Sequence, residues 1–141
     1  MEQPIAETES RSFDCGCHCG AIRFRVQGPL RKILMCHCSD CLKISGTGWG
    51  ASAAHANKLD WLTEARPRRY RSSDWAERGF CSECGLQIFY RMYDRPLISI
   101  APGAFDSREI LSVAGQIFRS SYPAWGPVGC EIADLDNRLG L

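Results

Sequence analysis

The sequence has no apolar run near the roughly 18 residues that a membrane-spanning helix requires. It also has no surplus of either charge, with Lys and Arg numbering 17 against 16 Asp and Glu in 141 residues. The first absence argues against a helical membrane protein. The second removes the electrostatic case for a nucleic acid or an anionic surface as partner. Residues 1–10 are acidic and polar rather than basic and then apolar, so no export signal is read and a cytoplasmic protein is expected. No apolar pattern at the helical period persists beyond about ten residues, which excludes a helical bundle. Neither GxGxxG nor GxxxxGK[ST] occurs and there is no βαβ rhythm, so nucleotide-binding α/β folds have no support. With only three histidines and no nucleophile elbow, a serine-triad hydrolase has no footing either.

What is plentiful is cysteine, nine in all, at positions 15, 17 and 19, then 36, 38 and 41, then 81 and 84, with 130 alone. Thiols clustered in this way in a reducing compartment point to metal ligands or catalytic groups rather than to disulfides. Around them the chain reads as many short strands punctuated by Gly, Pro, Ser and Asp. Ile22, Phe24 and Val26 alternate with Arg23, Arg25 and Gln27. Strand-length segments follow at 32–35, 49–54, 59–63, 68–71, 86–93, 97–101 and 115–118. Ser39–Ile44 is expected to form a helical turn or two, and Asp106–Leu111 a short helix. The fold class expected is mainly β, a single antiparallel domain with short helical turns, spanning 13–141 behind a flexible lead-in at 1–12.

Spacing divides the cysteines. Cys81-Ser-Glu-Cys84, followed by Gly85, has the form of a zinc knuckle, the glycine allowing the sharp turn behind the second sulfur. Cys17-His-Cys19, followed by Gly20, is the best second pair. In an extended segment its two thiols point the same way and His18 points off. Together the four would close one structural zinc site. Cys36, Cys38 and Cys41 remain, and three protein ligands with an open corner is the arithmetic of a catalytic zinc. Seven thiolates and two Zn²⁺ would move the formal charge from +1 to −2, mild for a soluble domain. Other partitions stay open at this point. The trio is closed by His37, His55 or a carboxylate in one, and in another Cys36 and Cys38 pair with Cys81 and Cys84. A Cys81–Cys84 redox couple lacks the βαβ context such a motif needs. Cys15 and Cys130 are read as spare thiols.

Three segments carry a resemblance: Cys17-His-Cys19-Gly20-Ala-Ile-Arg-Phe, Cys36-His-Cys38-Ser-Asp-Cys41-Leu-Lys-Ile-Ser-Gly, and Glu77-Arg-Gly-Phe-Cys81-Ser-Glu-Cys84-Gly85. With Arg71-Ser-Ser, Pro102-Gly-Ala-Phe-Asp106 and Pro123-Ala-Trp125, they resemble the glutathione-dependent formaldehyde-activating enzyme family, which also includes centromere protein V. The resemblance spans roughly residues 14–132. It implies a β-tent fold with two zinc ions per chain, a structural one on Cys17, Cys19, Cys81 and Cys84 and a catalytic one on Cys36, Cys38 and Cys41. The implied activity is that of a carbon–sulfur lyase of the S-(hydroxymethyl)glutathione synthase type, with glutathione and formaldehyde as substrates. The alternatives are a non-catalytic zinc domain that binds a macromolecule or carries glutathione, and a thiol-based redox sensor.

No proton donor is named by the residues; His37 and His55 are the candidates. Arg68, Arg69, Arg71, Arg78 and Arg119 offer planar forks for the carboxylates of glutathione. Trp49, Trp61, Trp75 and Trp125 are expected to pack the core, with Trp125 also a candidate to line a pocket. Two positions depart from the family pattern. Leu86 stands where a small hydroxyl residue is common, and Gln116 stands near a frequent His, whose proton transfer an amide cannot supply.

Overall fold

The structure is a computed structural model and describes residues 1–121 and 123–125. Cys130 and the last part of the expected domain lie outside the described residues. The alternating segment after Ala21 forms β3 (Arg23–Gln27), with Phe24 and Val26 fully buried and Arg25 and Gln27 exposed. It is the centre of a small antiparallel sheet, flanked by β2 (Ser12–Gly16) and β6 (Leu59–Trp61). A larger sheet runs in the order β1 (Pro4–Ile5), β4 (Leu30–Cys36), β5 (Trp49–His55), β10 (Leu97–Ile100), β9 (Gln87–Met92), β8 (Ala76–Phe80), β7 (Arg68–Arg71). These pairings are antiparallel, and β11 (Val113–Ile117) adds to β4 in parallel. The mainly β class expected from the strand signals is what is found. Among the described residues no helix is long and apolar enough to cross a membrane.

The core lies between the sheets. Phe13, Ile22, Phe24 and Val26 meet Ile88, Phe89, Ile98, Ile100 and Phe105, all nearly or fully buried. Phe24 and Trp61 stack at 5.2 Å between ring centroids, and Trp61 reaches Phe89 at 6.3 Å, so aromatic contact bridges the layers. Gly79 of β8 lies under the Phe89 ring, where any Cβ would overlap it. Trp49 and Trp61 pack partly buried against this core as expected. Trp75 and Trp125 do not, being 59% and 63% exposed.

Besides the two-residue β1 (Pro4–Ile5), two strands were not legible in advance. β2 and β8, with sequences SFDCG and AERGF, mix charges and glycine into positions that packing and pairing nevertheless fix. Conversely, Asp106–Leu111 forms no helix. The Asp106 amide donates to Asp14 O at 3.0 Å and its carboxylate takes a two-pronged contact from Arg23, which commits the would-be first turn elsewhere. Only a turn remains, closed by Leu111 N–H on Arg108 O at 3.0 Å.

The expected lead-in is also tied down. Pro4 and Ile5 pair with Arg31 and Leu30, and Ile5 and Thr8 are buried. Thr8 Oγ1 accepts from Leu30 N–H at 2.8 Å and donates to Ile5 O at 2.5 Å. One hydroxyl therefore satisfies two buried backbone groups, which polar composition alone does not reveal.

Thr8→Val keeps the shape but leaves the Leu30 amide without its acceptor, at an expected cost of about 1–3 kcal/mol. Urea denaturation of the variant checks this. An unchanged midpoint would mean that the N-terminal segment does not hold β4.

Candidate functional site

The cysteines form two groups, and each is assembled by turn chemistry. Cys17 directly follows β2. Its N–H donates to Ile22 O and its carbonyl accepts from Gly20 N–H, both at 3.1 Å, with Gly20 at φ +79°. The loop between β8 and β9 repeats the device. Cys81 N–H reaches Leu86 O at 3.0 Å, Gly85 N–H reaches Cys81 O at 2.9 Å, and Gly85 also sits at φ +79°. Cys17 and Cys19 thus converge on a turn, not on the extended segment expected, while His18 does point out to solvent. Leu86 turns its carbonyl to the knuckle and its side chain to the core, so its departure from the family pattern leaves the loop intact.

The sulfurs of Cys17, Cys19, Cys81 and Cys84 lie within 4.8 Å of one another, with Cys17–Cys19 at 3.6 Å and Cys19–Cys81 at 3.8 Å. A tetrahedral zinc with Zn–S of about 2.3 Å sets sulfurs about 3.8 Å apart, so this donor set fits that ion. Backbone donors already favour the charged sulfurs. Ile22 N–H points at Cys17 Sγ at 3.3 Å, and the amides of Leu86 and Cys19 hold the Cys84 thiol low, at about 6.

The second group gathers Cys36, Cys38 and Cys41, also within 4.8 Å. Cys36 ends β4, and Cys38 caps α1 (Ser39–Ser45), its sulfur accepting from Cys41 N–H at 3.4 Å. Cys41 lies in the first turn and is 4% exposed. Gly46, at φ +84°, closes the helix. Among the described residues no histidine, carboxylate or further cysteine joins this trio. His37 instead turns to β11, where its Nε2 meets Gln116 Oε1 at 2.9 Å. With the amide oxygen accepting, Nε2 carries the hydrogen, and Gln116 tethers His37 to β11. His55 ends β5 and is not among the grouped ligands either.

Sequence reasoning gave Arg78 no special place, yet it is the residue beside the trio. It is 4% exposed, and its Nη2 lies 3.6 Å from Cys41 Sγ. Its guanidinium sits 4.9 Å from the Tyr90 ring centroid and 5.7 Å from that of Trp49. The bond from Cys36 and this cation together hold the Cys41 thiol down at about 5 against the opposing effect of burial, and Cys36 is pushed up in turn. The other arginines lie elsewhere. Arg69 pairs with Glu77 and Arg71 with Asp74 on the exposed edge strand, and Arg119 follows β11. Cys15 is no part of either group. Burial raises its thiol to about 12, and its Sγ contacts Phe13 O at 3.7 Å.

With this geometry in hand, comparison with known proteins gives two findings. The sequence model of a family described as glutathione-dependent formaldehyde-activating enzyme matches residues 12–121. The crystal structure of a Rhodobacter sphaeroides protein, a structural-genomics target, superimposes with a TM-score of 0.60 at 21% identity, covering 73% of this chain and 98% of that one. The second likeness is one of fold.

Space is open where a Cβ would stand at Gly85, so its requirement is conformational alone. Gly85→Ala is expected to cost about 1–2 kcal/mol through the left-handed backbone, whereas Gly103→Ala, equally open and without positive φ, costs little. Thermal melts of the pair measure the difference. Equal melting points would remove the conformational argument for the knuckle.

Proposed function

The chain belongs to the glutathione-dependent formaldehyde-activating enzyme family, and from that premise we propose that it joins glutathione to formaldehyde at Cys36, Cys38 and Cys41. The observation that carries this reading is the contrast between the clusters. One has four converging sulfurs, whereas the other has three with no fourth protein ligand among the described residues. Cys17, Cys19, Cys81 and Cys84 would hold a structural zinc, and the trio a second. Zinc at the trio supplies a Lewis acid that keeps an added thiol as its thiolate at neutral pH.

The chain's own residues supply position and charge. β4 and the cap of α1 fix Cys36 and Cys38 on either side of His37, and the first helical turn brings Cys41 to them. The backbone amide on Cys38 Sγ and the guanidinium on Cys41 Sγ stabilise negative charge on both. Holding both reactants in one place replaces a bimolecular encounter with an oriented one. The sulfur lone pair of glutathione forms the carbon–sulfur bond to the aldehyde carbon. The carbonyl π pair moves onto oxygen, which takes up the proton that the thiol released. The product is S-(hydroxymethyl)glutathione, with no oxidant or reductant consumed. A cytoplasmic location accords with the eight described cysteines, all of which are free thiols.

Calorimetric titration of glutathione into the protein loaded with two zinc ions should show saturable binding. Cys41→Ser should abolish that binding while one zinc stays on the closed site. S-methylglutathione, which has no thiol to ionise, should bind at least about tenfold more weakly, a factor equivalent to about 1.4 kcal/mol. If the two-zinc protein binds no glutathione, the reaction proposed here is wrong.

A further inference from the structure

Arg78 is a buried cation that no carboxylate pairs with among the described residues, since the neighbouring Glu77 is taken by Arg69. Its Nε and Nη1 are shut off from solvent and have no hydrogen-bond partner, while Nη2 rests on Cys41 Sγ. The rings of Trp49 and Tyr90 flank it, which favours a cation but does not neutralise it. A buried charge left in this state is costly unless opposite charge stands beside it. Among the described residues the one source of such charge in contact with Arg78 is the three-cysteine cluster.

Charge arithmetic then says what the cation is for. Three thiolates around a divalent ion carry a net charge of −1, and a fourth thiolate makes −2. Arg78 in contact brings the first sum to 0 and the second to −1, so its charge offsets more repulsion at an anionic fourth ligand than at a neutral one. We propose that Arg78 is a positioning residue whose charge makes the three-cysteine site selective for an anionic sulfur ligand over a neutral one. This rests on the reading of the trio as a metal site with an open corner. It assigns to Arg78 the choice of ligand class, not the metal itself.

The test uses the full chain loaded with Co²⁺ at both clusters, titrated with 2-mercaptoethanol as the anionic-sulfur probe and imidazole as the neutral one. Binding is read from sulfur-to-cobalt charge-transfer and d–d absorption, which does not depend on turnover. In Arg78→Met and Arg78→Gln, thiol affinity should fall about tenfold to a hundredfold, the effect of one unit charge a few ångströms away at intermediate dielectric. Imidazole affinity should stay within about twofold, and Arg78→Lys should restore most of the thiol affinity. Arg78→Gln and Arg78→Lys carry the comparison by themselves if the Met variant does not fold. Thiol affinity unchanged in Arg78→Gln, or thiol and imidazole weakened together, would overturn the assignment while leaving the open site standing. A wild-type protein that takes up a single Co²⁺ would remove the open site and this inference with it.

Discussion

The two sheets are joined at four sulfurs. Cys17 and Cys19 hang from the end of β2 in the small sheet, and Cys81 and Cys84 from the connection between β8 and β9 in the large one. Cys17 and Cys81 are buried within the same core that Phe24 and Phe89 fill. Sulfurs held 3.6–3.8 Å apart in such surroundings repel one another if several are ionised. A divalent cation between them would convert that repulsion into a cross-link between the sheets, and binding at such a site would also be folding free energy. In a domain of this size, a junction of that kind would add to the interlayer core in keeping the layers together.

One strand serves both clusters. Along β8, Arg78 reaches Cys41 on one side, Gly79 makes room for Phe89 on the other, and Cys81 enters the four-sulfur junction just past the strand's end. Alternation of side chains across a strand makes this division of labour possible in four residues. The price is narrow tolerance, because a one-residue slip would exchange the faces and put the guanidinium under the aromatic core. The pairing of Arg78 with Tyr90 and of Gly79 with Phe89 on β9 holds that register.

Much of this was legible in the residues. Alternation identified β3, strand-length runs marked β4 to β7 and β9 to β11, and the spacing of the cysteines anticipated the two groups that the fold brings together. The signals that failed were those overridden from a distance. β8 carries Glu, Arg and Gly, poor strand formers, and is a strand because β7 and β9 lie on either side of it. The N-terminal residues look solvated until one hydroxyl is seen serving two buried backbone groups. Arg78 was one of several arginines by composition, and only burial against Trp49 and Tyr90 separates it from the rest. A sequence pattern reports local periodicity and ligand spacing well. It is silent about which charge ends up inside.

The arginines that stay outside have a consequence of another kind. β7 is the outer strand of the large sheet, and every residue from Arg68 to Arg71 is exposed. Among the described residues no strand pairs its outer edge, which leaves amides and carbonyls open to an extended chain, including a second copy of the protein. Arg69 and Arg71 are held by Glu77 and Asp74, so the strand presents hydrated ion pairs that an incoming strand would have to desolvate. The same charge type that sits buried beside the thiols lies here at the surface, where its hydration works against extension of the sheet.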